Sequence, residues 1–251
     1  MSLITVLVAF LGGLMAGIIN TLAGNGSAIT LTILTELVGL PGNVANATNR
    51  IGIVAQGLAS TPHFIRHRWP AIRRSRLLIV LMCLGALFGA YIATRISNAA
   101  FVQIFSYAMI LMLILILVRP ERWLQKGDQH YQLPPTLSVP LFLVLGFYAG
   151  FIQMGVGVFF LIIMSLVARY EIIDANAVKN VVIFLCTLLA LLFFSWRGLV
   201  DWSTGAVLAA GQALGGWWGG RFATRYENAG QWAYRLLIVA MVLAIIKLFF
   251  F

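Results

Sequence analysis

From Leu3 to Gly39 the chain is apolar apart from one polar interruption, Asn20-Thr21-Leu22-Ala23-Gly24-Asn25-Gly26-Ser27. As a single helix this stretch would extend ~55 Å, nearly twice the hydrocarbon thickness of a bilayer. Glycine and asparagine disfavour a continuous helix, so the break falls at that interruption. The piece after it, from Ser27 to Val38, is too short to span and reads as a half-helix whose N-terminus lies at membrane depth. Further apolar segments run from Val44 to His63, Leu77 to Ile96 and Ala99 to Val118. A polar connection, residues 119–136, holds Pro120, Gly127 and Pro134-Pro135 and divides a first membrane unit, residues 1–118, from a second, residues 137–251. The second is apolar from Leu137 to Gln153, breaks at Gly155-Val156-Gly157 and resumes as a short piece to Ala168. Segments from Ile173 to Trp196, Trp202 to Arg225 and Gln231 to Phe251 follow.

The two units also match residue by residue. Ala45-Asn46-Ala47 recurs as Ala175-Asn176-Ala177, and Gly85, Gly89 and Ala93-Thr94-Arg95 recur as Gly215, Gly219 and Ala223-Thr224-Arg225, at one spacing. The expected fold is therefore an all-α integral membrane protein of two homologous repeats, each of four to five transmembrane segments with a glycine-interrupted first segment. If helix and half-helix make one crossing, the repeats are parallel. If they form a re-entrant hairpin, the repeats are inverted, which is the favoured arrangement because half-helices pointing at one midplane site recur in transporters.

Composition agrees with this pattern: 61% of residues are hydrophobic and 10% charged, against about half and a quarter in soluble domains. The formal net charge of +10 would suit nucleic acid, but the cations gather between apolar segments rather than on a soluble face or tail. Arg66, Arg68, Arg73, Arg74 and Arg76 fill one short loop, which the positive-inside rule makes cytoplasmic; Arg119, Arg122 and Lys126 suggest the same for the central connection. Cys83 and Cys186 lie inside apolar segments and read as packed small residues rather than a disulfide framework or metal site.

The chemistry concentrates where polar groups interrupt apolar runs. Irregular backbone at membrane depth is tolerated only in protein or beside a watery cavity. The breaks at Gly24, Asn25, Gly26 and Ser27 and at Gly155 and Gly157 therefore mark a cavity whose free helix N-H groups suit an anion. Each unit also carries one cation beside an amide, Asn49-Arg50 and Lys179-Asn180. A charge at the bilayer centre costs about 2.5–3.5 kcal/mol on insertion scales. Either these cations snorkel to the interface or they flank an anion, with Asn46, Asn49, Asn176 and Asn180 as amide donors. Asn46, Asn49 and Arg50 can share one helix face, as can Asn176, Lys179 and Asn180. Asn20 and Gln153, with Gln56 and Gln212, are weaker candidates. Glu36 is the one acid well inside an apolar segment and so the candidate coupling group.

These features together resemble the sulfite exporter TauE/SafE family of membrane transporters. The resemblance rests on Gly17 through Gly26 with Ala45 to Thr48, on Gly150 through Gly157 with Ala175 to Val178, and on Val200-Asp201-Trp202 before a glycine-rich helix. Where family members carry a denser glycine run, this chain has Gly24-Asn25-Gly26-Ser27-Ala28 and Gly155-Val156-Gly157-Val158-Phe159. The resemblance implies transport of a small anion such as sulfite, thiosulfate, a sulfonate or another organic acid. The expected function is a secondary transporter in the bacterial inner membrane, working by alternating access and coupled to a proton, to sodium or to the anion's own gradient. An anion channel, or a partner subunit without its own site, is the alternative. No catalytic residue, metal or cofactor is expected: the chain has no His-Glu-x-x-His or Gly-x-Ser-x-Gly, and His63, His67 and His130 fall in the expected loops.

Overall fold

The computed structural model describes residues 3–117 and 133–226, so the expected last segment from Gln231, Arg119, Arg122, Lys126 and His130 lie outside the described residues. The described chain is helical. Helix α1 spans Leu3–Leu22, and after the break α2 (Ser27–Thr32) runs on into a π-helical turn, Ile33–Leu37. Helices α3 (Gly42–Arg74), α4 (Arg76–Ala93) and α5 (Asn98–Leu117) follow. Beyond the central connection come α6 (Pro135–Phe151), α7 (Val156–Ile162) with its π turn Ile163–Val167, α8 (Ile172–Trp196) and α9 (Trp202–Arg225). The π turns begin at residues 33 and 163 and the long helices after them at 42 and 172, the same offset in both places. Among the described residues three helices, α1, α4 and α8, are long and apolar enough to cross a membrane; this is a multi-pass membrane protein.

These helices are apolar on both sides, and residue size rather than polarity tells inside from outside. On α4, Leu77, Val80, Leu84, Phe88 and Tyr91 are exposed, while Met82, Gly85, Ala86, Gly89, Ala90 and Ala93 are buried. On α9 the glycines at 205, 211, 215, 216, 219 and 220 face inward, and Leu214, Trp217, Trp218 and Phe222 face outward. Lipid is as apolar as leucine, so burying leucine between helices gains little; small residues instead let backbones approach.

That approach fixes the directions of the helices. A methyl group on Gly85 or Gly89 would collide with the carbonyl oxygen of Leu143 or Phe147, so α4 and α6 run parallel. Gly211 meets Phe10 and Gly215 meets Leu14 in the same way, so α1 and α9 run parallel. Gly216 against Gln56 and Gly220 against Ser60 align α9 with α3. The α3–α8 pair is antiparallel: Arg50 lies over the Phe194 ring, Gly57 against Phe184, and Arg68 beside Asp174. Gly26 packs on Ala16 and Gly12 faces Ile33, so α2 doubles back along α1 as a hairpin.

Helix α3 departs from the expected segment by running eleven residues past His63, to Arg74. Its arginines are good helix formers and suit a helix C-terminus. The helix absorbs Pro62 and then bends at Arg68, φ −136° and ψ 30°, two residues before Pro70. Consequently the expected basic loop is helix joined to α4 through Ser75 alone, and His63 and His67 are helical.

Candidate functional site

The two helix breaks meet. Gly24 has φ +89°, a left-handed conformation, and a Cβ there would stand 2.5 Å from Gly157 Cα and 2.6 Å from its carbonyl carbon. Around this contact lie buried polar residues from four helices and both breaks: Asn20, Asn25, Ser27, Asn46, Asn49, Gln153 and Asn180. Gly26, Gly155 and Gly157 are buried backbone of the same breaks, and Gly155 is also left-handed at φ +71°. Asn176 is only partly buried.

Arg50 and Lys179 are fully buried, so neither snorkels. Each reaches across to the C-terminal end of the interrupted helix in the opposite half. Arg50 Nη1 donates to Ala149 O at 2.7 Å and to Gln153 Oε1, and Nη2 donates to Gly150 O at 2.9 Å and Asn46 Oδ1 at 3.4 Å. Asn46 Nδ2 donates to Phe151 O at 2.9 Å. On the other side, Lys179 Nζ donates to Asn20 O at 3.2 Å and Thr21 O at 3.0 Å, and Asn180 Nδ2 donates to Thr21 O at 3.1 Å. The last carbonyls of a helix have no intrahelical partner and carry the negative end of its dipole. A break thus presents a negative helix end as well as a positive one, and the cations occupy the negative ends.

The two cations stand apart. Arg50 is seven residues before Gly57 on α3, and Lys179 five before Phe184, which Gly57 touches on antiparallel α8. At 1.5 Å per residue their Cα atoms are roughly 20 Å apart along the helix axes. Asn46 and Arg50 share a face, but Asn49 points elsewhere: its Oδ1 accepts from Thr30 Oγ1 at 2.7 Å and from Gln212 Nε2 at 3.4 Å. Asn20 Nδ2 donates to Gln56 Oε1 at 2.9 Å, so those amides join neighbouring helices. Gln153 is held at φ +61°, rare for a non-glycine residue, between Arg50 and Thr187 Oγ1. Glu36 lies exposed in the π turn at the other end of the hairpin from the break, where a carboxylate avoids burial.

Thr30, Thr187 and Phe194 were not singled out in the sequence. Thr187 lies seven residues after Asn180, two helical turns along the same face, a spacing that marks it in retrospect. A cavity of about 430 Å³ opens beside Arg74, Pro134, Ser138 and Tyr170, and neither buried cation lines it.

The family profile described as sulfite exporter TauE/SafE matches residues 9–248. The chain belongs to this family. A probable membrane transporter protein ORF9 of Sinorhizobium sp. is 27% identical to it over 238 residues, covering 94% of this chain and 89% of the relative. The probable membrane transporter protein YfcA of Escherichia coli K12 is 27% identical over 236 residues, covering 92% and 84%. YunE of Bacillus subtilis, also named a probable membrane transporter protein, is 23% identical over 257 residues, covering 93% of each. No solved structure matches the chain. The TauE/SafE chain is thus a membrane transporter by family, with a set of buried amides at two touching helix breaks.

Proposed function

We propose that the protein is a secondary transporter of a small anion in the bacterial inner membrane, built from two inverted repeats and working by alternating access around the paired breaks. One observation carries this reading: Arg50 and Lys179 are fully buried, and among the described residues no carboxylate is buried to neutralise them. The ends of α1 and α6 supply about half a negative charge each. Roughly half of each cation's charge therefore remains uncompensated in a medium where that is costly. Donors remain as well, since Arg50 Nε and Asn49 Nδ2 have no partner. An anion supplies both the missing charge and the missing acceptors.

The inverted arrangement is supported by antiparallel α3 and α8 and by the reciprocal parallel pairs α1–α9 and α4–α6. Alternating access then follows from the placement of the cations on opposite sides of the crossing. As one half rocks, an anion can pass from the Arg50 cap to the Lys179 cap. The family's description favours sulfite or a related sulfur oxyanion as substrate; thiosulfate, sulfonates and short organic acids share the chemistry.

The test is a thermal-shift panel of sulfite, sulfate, thiosulfate, sulfonates and short carboxylates on purified protein, followed by counterflow in liposomes. One class of anion is expected to stabilise the protein and to exchange. Arg50→Gln and Lys179→Met should each weaken its binding at least about tenfold, or ~1.4 kcal/mol. Unchanged affinity in both variants would refute the reading, and steady current without exchange would mark a channel instead.

A further inference from the structure

Arg50 and Lys179 perform the same capping task with different chemistry, and the difference is where a coupling ion enters. An arginine guanidinium keeps its proton in proteins, whereas a lysine ammonium can lose one. Lys179 Nζ has two acceptors among the described residues, Asn20 O and Thr21 O. A neutral amine has two N-H donors and an ammonium has three. Both carbonyl bonds therefore survive loss of the third proton. Arg50, by contrast, spends four donor contacts on Ala149, Gly150, Gln153 and Asn46.

We infer that Lys179 is the proton-carrying group of the transporter, ammonium when the anion is bound and neutral amine when the site is empty, while Arg50 holds a fixed charge. The step is R–NH3+ giving R–NH2 and a proton taken by water, and its reversal as the next anion arrives. A monovalent anion and a proton then move together without net charge. This physiological role rests on the anion-transport reading; the titration itself does not.

The surroundings leave Lys179 as the group placed for this task. Helix α1, whose end it caps, has no titratable side chain. On α3, Arg50 lies at the far cap, His63 turns toward Gly220 of α9, and Arg68 is paired with Asp174 of α8 at 3.3 Å. Arg73, Arg74 and Arg76 are exposed at the basic end of α3 and α4. On α4, Cys83 faces Cys186 of α8, 3.9 Å between sulfurs. On α6, Tyr148 donates to Met154 O, and α7 with its π turn carries no titratable side chain. Glu36, the acid named from the sequence, is exposed.

The chain has three lysines, Lys126, Lys179 and Lys247, so lysine labelled with 13C at Cε gives three resonances in the intact protein in nanodiscs. The probe anion is methanesulfonate, which does not itself titrate near neutrality. The resonance lost in Lys179→Arg should change protonation within the physiological pH range, and methanesulfonate should return it to the ammonium form. Binding should take up about one proton per anion in the wild type and none in Lys179→Arg, by linkage. Should that variant fail to fold, Lys126→Arg with Lys247→Arg leaves Lys179 as the one labelled lysine. A Lys179 that stays ammonium throughout, or equal proton uptake by wild type and Lys179→Arg, overturns the inference. A titrating Lys179 in a protein that neither binds nor exchanges any anion of the panel keeps the proton site and overturns the anion reading instead.

Discussion

The meeting of the two breaks can be tested with a matched pair of substitutions, Gly24→Ala and Gly39→Ala. Both glycines have positive φ, +89° and +78°, so alanine is strained at either place. For an L-residue that backbone term is about 1–2 kcal/mol. The sites differ in what the new methyl meets: nothing lies within 4 Å at Gly39, whereas at Gly24 the backbone of Gly157 lies 2.5 Å away. Backbone cannot rotate aside as a side chain does, so one hairpin tip must retreat from the other by roughly 1 Å to restore ordinary contact. Overpacking of this kind costs about 1–3 kcal/mol, for a total of about 2–5 kcal/mol at Gly24. In a chain of this size a kilocalorie corresponds to about 2–4 °C, so Gly24→Ala should melt about 2–12 °C below Gly39→Ala. The melting can be followed in one detergent by reaction of the buried Cys186 with a thiol-reactive fluorophore. Equal melting of the two variants would show that the tips do not touch.

Two further outcomes are expected. Asp201 caps α9, accepting from Ser203 Oγ at 2.6 Å and Thr204 N at 3.1 Å, and these bonds hold its carboxyl below its ordinary value of 3.8. Its contribution is thus present above that value and lost as pH falls through the lowered one; Asp201→Ala should cost about 0.5–2 kcal/mol at neutral pH, and urea unfolding should show the gap closing in acid. Antiparallel packing puts the α7–α8 link on the side of the basic end of α3, where Arg68 meets Asp174, and the α8–α9 link opposite, where Asp201 N donates to Thr48 Oγ1. A cysteine at exposed Arg169 should therefore react with an impermeant reagent only from the cytoplasmic side, and one at exposed Arg197 only from the outside; labelling of Arg169 from outside would refute that topology.

The sequence made the positions of the breaks legible because glycine and asparagine interrupt long apolar runs, and the structure ends α1 at Leu22 and begins α2 at Ser27. Bounds set by strong local signals, such as Trp202 to Arg225, also agree. The full length of α3 was not legible, because proline and a run of arginines look like a loop until a bend at Arg68 accommodates them. The partners of Arg50 and Lys179 were not legible, since the carbonyls they hold are about 100 and 159 residues distant. The positive helix ends at each break suit a ligand, but the negative ends of α1 and α6, equally implied by each break, claim part of the cations' charge first. The same nonlocality sent Asn49 toward Thr30 and Gln212 rather than toward Arg50.

The parallel pairing of α1 with α9 bears on how the chain is made. The glycine face at Gly13 and Gly17 fits against Leu208, Gln212 and Gly216, none of which exists when α1 leaves the ribosome. Roughly 180 residues separate the two helices, or about 10–40 s of synthesis. Meanwhile α4 receives α6 after a much shorter wait. Helix α1 is made long before the helix that covers its glycine face. A chain stopped before Trp202 would leave that face open to the lipid, with the α2 hairpin, Gln56 and the Lys179 cap left to hold α1, within reach of quality-control proteases.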